Sequence, residues 1–252
     1  MQQRVAPLAR PVSATIVAAL LACAAVAWLI TFRQAGSMGM GGLAMMTAGL
    51  FLVTWLVMMV AMMFPSVAPM TLAFASFTRS RGEGYVPTAV FVLGYLAVWT
   101  AAGLVPLAVL QAVDKIWMTP PSWLPRAGAA VIIVAGIYQF TPLKDACLRA
   151  CRSPLGFIMT HNFGGGPAAA VRAGMSHGVY CLGCCWALMV VLVVAGSMGL
   201  PWVVGIALVV FAEKLLPPGR AFGRGIGLAL LAGAALLVLR PDLVPFLAQG
   251  AM

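Results

Sequence analysis

Charged residues are scarce in this chain of 252 residues: Lys, Arg, Asp and Glu together make up 8%, and only five side chains are acidic. In ordinary soluble domains about one quarter of the residues are charged, so the scarcity of charge argues against a soluble domain. The hydrophobic content of 63% supports the same conclusion. Several apolar runs of about 20 residues have the length of transmembrane helices. The composition therefore predicts one integral membrane domain over residues 1–252, all-α, whose helices pack in lipid.

Two kinds of motif are also missing from the sequence. There is no nucleotide-binding motif, so any transport would depend on a gradient or on passive exchange. There is no thioredoxin-like βαβ pattern, which weakens a redox interpretation of the cysteines. The net charge of +10 does not indicate nucleic acid, because the basic residues stand singly or in small groups between apolar runs. That distribution is typical of topology signals and of contacts with anionic lipid.

The apolar runs predict a polytopic bundle of about seven transmembrane helices. The first is expected to be an uncleaved anchor helix within residues 1–35, because its apolar run continues past "LLAC" at Leu20 to Cys23, which resembles a lipoprotein cleavage site. Two of the seven are short for a bilayer of about 30 Å, so tilt or local thinning is expected. The predicted spans are about Val12–Phe32, Leu43–Phe64, Thr88–Leu110, Arg126–Thr141, Gly178–Gly196, Pro201–Leu216 and Phe222–Leu239.

Lys and Arg are divided unevenly between the two sides of this arrangement. Eleven fall in the N-terminal tail and the loops on its side, and four fall on the opposite side. Because positive charge favours the cytoplasm, the count predicts a cytoplasmic N-terminus and a C-terminus outside. The longest connection runs from about Leu143 to Ser176 and contains "NFGGGPAAA", a stretch predicted to be flexible and without regular structure.

Five of the six cysteines lie between positions 147 and 185. Cys147 and Cys151 are spaced i,i+4, so a helix would put both thiols on one face. The same helical period places four further side chains on one arc of about 100°: His177, Cys181, Cys184 and Cys185.

These cysteines fall near the predicted cytoplasmic side, where thiols stay reduced and structural disulfides are rare. A cytoplasmic cysteine cluster is more often metal-binding or catalytic, and the cations beside Cys147 and Cys151 favour the thiolate form that binds metal. The alternative is that the cysteines are small buried residues in close helix packing.

The stretch "WLVMMVAMMFP", residues 55–65, supplies a second group of sulfur atoms. Met58 and Met62, and likewise Met59 and Met63, are spaced i,i+4. Methionine is also a common filler of helix interfaces. Beside thiolates, however, thioethers form the soft ligand set that selects Cu(I). Zinc is the alternative metal, since Cys and His also suit a tetrahedral zinc site, but zinc leaves the methionines unexplained.

Glu213 lies at the end of the sixth predicted span. A charged side chain inside or near a membrane span costs free energy, so we expect it to have a function. The alternative is an ion pair at the membrane interface with the neighbouring Lys214.

Four motifs together resemble one known family: "WLVMMVAMMFPSVAPM", "YQFTPLKDACLRACRSP", "GMSHGVYCLGCCWALM" and "EKLLPPG". They resemble the bacterial family of predicted metal-binding integral membrane proteins, some of whose members are called copper chaperones. The resemblance covers roughly residues 40 to 235. It implies a multi-pass protein of the bacterial inner (plasma) membrane with a metal site and no established reaction, so we expect no enzyme activity. It assigns that site to Cys147, Cys151, His177, Cys181, Cys184 and Cys185, with Glu213 as a motif residue.

The sequence thus predicts a protein that handles Cu(I) as chaperone, donor or carrier. Its partners would be the metal ion, the lipid bilayer and a copper-receiving membrane or periplasmic protein, with no nucleic acid. Two alternatives stay open. One is a thiol–disulfide oxidoreductase that uses the C-x-x-C pair Cys181 and Cys184. The other is a transporter of another substrate through helices broken at Pro65, Pro142 and Pro217.

Overall fold

The computed structural model describes residues 10–35, 47–114, 124–160, 165–194 and 200–239. These residues form ten helices and contain no strand, which confirms the all-α prediction. In chain order the helices are α1 Arg10–Ala35, α2 Ala48–Ser80, α3 Val86–Ala102, α4 Leu104–Asp114, α5 Leu124–Tyr138, α6 Pro142–Arg152, α7 Pro154–Thr160, α8 Pro167–Val194, α9 Leu200–Leu215 and α10 Gly219–Leu239.

Five helical segments in the described part of the chain are long and apolar enough to cross a membrane: α1, α2, α3 together with α4, α8 and α10. The pair α5 and α6 makes a sixth if it is counted as one span bent by 63°. Helix α9 has only 16 residues, whereas a helix that crosses a bilayer needs about 20. A polytopic helical protein is therefore supported, while the seventh span and the cytoplasmic N-terminus stay predictions.

Helix α2 does not stop at Pro65, contrary to the prediction. It runs from Ala48 to Ser80 and includes both Pro65 and Pro69. Proline removes one backbone hydrogen bond, but in an apolar setting the rest of the ladder must still be satisfied within the helix. Its predicted start at Leu43 lies outside the described residues.

Helix α8 begins at Pro167, eleven residues before the predicted start at Gly178. His177 is therefore about 15 Å along the helix axis from its first residue, and it does not lie in the first turn. The prediction that the cysteine-rich stretch opens the span is wrong, because that stretch occupies the middle of α8. The predicted end at Gly196 lies outside the described residues.

Residues 167–170, the end of the stretch predicted to be flexible, already belong to α8. The longest connection as a whole is largely helical. It contains α6, α7 and the first turns of α8, and residues 161–164 within it lie outside the described ranges. Pro142 follows the end of α5 and opens α6, because proline fits the first turn of a helix. Thr141 caps α6, its side-chain oxygen accepting a hydrogen bond from the backbone N–H of Lys144 at 3.3 Å.

Helix α8 lies at the centre of the bundle and packs against α3, α5, α6 and α9. It approaches α3 closely at two glycines. A Cβ at Gly174 would lie 2.0 Å from the carbonyl oxygen of Phe91, and one at Gly94 would lie 2.6 Å from that of Val171. Small residues allow such close backbone approach in membrane bundles, and here they bring the aromatic side chains of α3 against the cysteine-rich middle of α8.

Candidate functional site

Four cysteine side chains from α6 and α8 form what we call the thiol cluster: Cys151, Cys181, Cys184 and Cys185. The three from α8 are at most 1% exposed. The Sγ of Cys151 on α6 lies 3.8 Å from that of Cys184, so the two helices meet through sulfur. All four are free thiols in the structure. The structure therefore brings together cysteines from the two motifs that the resemblance assigns to one site.

The cysteines of α8 share one buried face of the helix, as their spacing predicted. The thiols of Cys184 and Cys185 donate to the carbonyl oxygen of Cys181 at 3.1 and 3.0 Å. His177, one turn earlier, is 2% exposed. Cys147, the other cysteine of α6, packs against Gly183, where a Cβ would lie 2.7 Å from its Sγ. The ligand role of these side chains stays a prediction.

The Cys181 sulfur has two polar partners from other helices. The ammonium of Lys214, on α9, donates to it at 3.0 Å, and the Tyr95 hydroxyl of α3 forms a hydrogen bond with it at 3.1 Å. Lys214 also lies 3.5 Å from the Ser66 hydroxyl and 3.8 Å from the Met63 sulfur, both on α2. One buried ammonium thus joins the thiol cluster to the methionine-rich helix.

Sequence reasoning missed this role of Lys214, which it treated as a topology signal or as a partner of Glu213. The structure has Lys214 only 7% exposed and directed at sulfur. The available signal was a charged pair in the otherwise apolar stretch 200–216. A charge in such a stretch points to a polar partner inside the bundle.

Glu213 pairs with Lys144 of α6 and not with Lys214. Both carboxylate oxygens lie 2.8 Å from the Lys144 Nζ, and the two residues are 1% and 2% exposed. The Lys144 ammonium also donates to the side-chain oxygen of Gln139. The interpretation of Glu213 as half of an interfacial pair with its neighbour is therefore wrong, because it forms a buried pair between α6 and α9.

A second contact ties α6 to the C-terminal end of α9. The Arg152 guanidinium donates to the carbonyl oxygens of Glu213 and Pro217 at 2.9 and 3.0 Å, which satisfies carbonyls that the helix end leaves unpaired. A Cβ at Gly219 would lie 2.0 Å from the Arg152 Nη1. The motifs "KDACLRACR" and "EKLLPPG" are thus two sides of one interface, and it holds Cys151 against α8.

His177 lies among the aromatic rings of Phe91, Tyr95 and Phe157, with ring centroids 6.2, 6.0 and 5.4 Å away. Its Nδ1 is buried and has no hydrogen-bond partner among the described residues. A buried polar atom without a partner is costly. The nitrogen therefore keeps an unused hydrogen-bonding capacity, one helical turn before Cys181.

The four methionines singled out in α2 are all buried, Met58, Met59, Met62 and Met63 being 4%, 1%, 2% and 0% exposed. Met63 contacts the Lys214 ammonium. The other three pack in the apolar core, which is the filler role that methionine commonly has.

Within the described residues, no group of three or more His, Cys, Asp or Glu side chains is arranged to hold a metal ion. The sulfurs of Cys151 and Cys184, which lie 3.8 Å apart, form a pair of donors from two helices. Soft sulfur pairs of this kind match Cu(I) better than the hard cations that oxygen ligands bind.

The fold and the site of the described residues define a class: an all-helical protein with several helices long and apolar enough to span a membrane, and a thiol cluster whose three members on α8 are buried. The profile of a family described as copper chaperone (PpoB2) matches residues 52–237, from α2 to α10. The chain therefore belongs to this copper chaperone family, as the four motifs predicted. No curated protein and no solved structure matches the chain.

Proposed function

We propose that the protein binds Cu(I) as cargo within the membrane and passes it to a receiving protein. The observation that carries the proposal is the contact between α6 and α8, where Cys151 and Cys184 place two free thiols 3.8 Å apart in the bundle. Thiolates are soft ligands that favour Cu(I). The family to which the chain belongs is described as copper chaperone. The proposal assigns no chemical turnover, so the protein would be a carrier and not an enzyme.

Cys181 and His177 extend this sulfur pair along α8. They precede Cys184 by three and seven residues, so each lies about one helical turn further along the same face. The four side chains thus form a row of candidate ligands, in the order Cys151, Cys184, Cys181 and His177. The unpaired Nδ1 of His177 offers a harder ligand at the end of this row. Transfer along the row would exchange one ligand at a time, so the ion would never be left without one.

Met63 gives the row a branch toward α2. Its sulfur lies 3.8 Å from the ammonium that contacts Cys181. A thioether donor is neutral and binds Cu(I) less tightly than a thiolate does, which suits a release step. We place the release side toward a membrane or periplasmic receiving protein and the capture side toward the cytoplasm, at the bacterial inner membrane.

Metal content tests the proposal directly. The protein is purified in detergent under reducing, copper-replete conditions, and copper and zinc are measured by mass spectrometry. We expect copper on the wild type and its loss in Cys181→Ser/Cys184→Ser. Cys23→Ser is the matched control, because Cys23 is an exposed thiol on α1, and it should keep its copper. A wild-type protein that contains no copper would refute the proposal. If zinc outcompetes Cu(I) for the site, the protein would bind zinc as its cargo instead.

The same sulfur contact also favours a second candidate function, thiol–disulfide exchange. Thiols 3.8 Å apart are near enough to form a disulfide after small movements of the side chains. Trapping the thiols in living cells with an alkylating reagent separates the two functions. Mixed disulfides on Cys151 or Cys184 would support exchange, whereas thiols that stay reduced agree with copper binding.

A further inference from the structure

Lys214 places a positive charge beside the thiol cluster, and carboxylates do not balance it. In the described part of the chain no carboxylate lies within ion-pair distance of its ammonium. Glu213, the adjacent acidic residue, gives both oxygens to Lys144. The polar partners of the Lys214 ammonium are instead Cys181, Ser66 and Met63. A buried charge needs an opposite charge nearby, and here the available one is a thiolate.

The charge of the ammonium distinguishes between metals. Two thiolates and Cu(I) together carry one negative charge, which one ammonium neutralises. Two thiolates and Zn(II) are already neutral, so the same ammonium would leave an unbalanced positive charge. In a site of low dielectric constant, one unbalanced charge is a large energetic difference.

We infer that Lys214 is the counter-cation of a two-thiolate Cu(I) complex and makes the site prefer a monovalent over a divalent metal. The inference rests on the proposed function. On binding, bonds form between copper and two sulfurs of the thiol cluster. Cys181 binds as the thiolate that already balances Lys214, and the second thiol gives up its one proton to the ligands that leave the copper donor or to water. No electron is transferred, and Lys214 keeps its proton throughout. Its role is to stabilise charge and select the metal, because its ammonium has no lone pair with which to bind copper.

Affinity measurements on matched variants test the inference. Lys214→Met removes the charge and keeps the length, Lys214→Arg keeps the charge, and Arg220→Gln removes a half-exposed cation that pairs with Asp145. Cu(I) affinity is measured by competition with a chromophoric Cu(I) chelator, and Zn(II) affinity with a zinc dye, in detergent at fixed pH. Ag(I) serves as a monovalent ion that does not change its oxidation state.

We expect Lys214→Met to weaken Cu(I) and Ag(I) binding about ten- to a hundredfold, the usual effect of losing a hydrogen bond from a charged group. Zn(II) binding should stay level or strengthen. Lys214→Arg and Arg220→Gln should remain within about threefold of the wild type, since both keep a cation at the thiol cluster. A Lys214→Met protein with wild-type affinity for Cu(I), or with equal losses for Cu(I) and Zn(II), overturns the inference and leaves the proposed function standing.

A measurement on the wild type keeps the inference testable even if the methionine variant does not fold. X-ray absorption of the copper-loaded protein should show Cu(I) bound by two sulfurs. Three thiolate ligands would carry one charge more than the Lys214 ammonium can neutralise, so that result would overturn the inference. A wild type that binds no Cu(I) overturns the inference and the proposed function together.

Discussion

The buried pair of Lys144 and Glu213 yields the sharpest prediction on stability. Lys144→Met leaves a carboxylate at a position that is 1% exposed, and Glu213→Leu leaves an ammonium at one that is 2% exposed. Removing one partner of a buried ion pair typically lowers the free energy of unfolding by about 3–5 kcal/mol. The contacts of Arg152 do not compensate, because it donates to the backbone oxygen of Glu213 and not to its carboxylate.

The double variant Lys144→Met/Glu213→Leu should be more stable than either single variant. Replacing both charges with apolar groups of similar size is often neutral. One cost remains, because Gln139 loses the donor to its side-chain oxygen, and an unpaired buried acceptor costs about 1–3 kcal/mol. We therefore expect the double variant to lose about 1–3 kcal/mol in all, less than either single change.

The assay is equilibrium unfolding in mixed detergent micelles, followed by circular dichroism. Asp145→Asn is the matched control on the same helix, since Asp145 pairs at 3.2 Å with Arg220, whose side chain is 49% exposed. A pair open to water contributes about 0–1 kcal/mol, so the control should unfold almost as the wild type does. Single-variant losses that simply add in the double variant would refute the reasoning, because the two charges would then not be coupled.

Three further outcomes are expected. Gly174→Ala should lower the unfolding free energy by at least about 1–3 kcal/mol, because its Cβ would lie 2.0 Å from the Phe91 carbonyl oxygen. Gly205→Ala, with nothing within 4 Å of its Cβ, should be neutral or stabilising, and equal effects at the two sites would contradict the packing. Trp55→Phe should lose about 1 kcal/mol of hydrogen bonding, since its indole donates at 2.9 Å to the Trp99 carbonyl oxygen, which keeps a backbone donor. A loss above about 3 kcal/mol would contradict this prediction, because it would exceed the contribution of one hydrogen bond. Finally, a C-terminal alkaline phosphatase fusion should be active in cells and a C-terminal green fluorescent protein fusion dark, whereas the reverse result would contradict the seven-span arrangement.

The helices were largely predictable because apolar runs of bilayer length have few alternative structures in lipid. The start of α9 at Leu200 and the end of α10 at Leu239 lie within one residue of the predicted bounds. The errors fell at prolines and at polar stretches. Proline at Pro65 did not end α2, and the stretch after Gly166 was already helix. Local signals are ambiguous there, because neighbouring helices decide whether the chain continues.

The sequence alone determined which face of α8 carries sulfur, since helical period fixes the angular positions of Cys181, Cys184 and Cys185 whatever surrounds them. Only the tertiary structure decided what that face meets. Glu213 and Lys214 are adjacent in the chain but point to different partners, one to Lys144 and the other to Cys181. Consecutive residues on a helix face different directions, so their partners depend on which helices pack on each side. That packing brings a lysine to the thiol cluster, and no spacing in the sequence could show it.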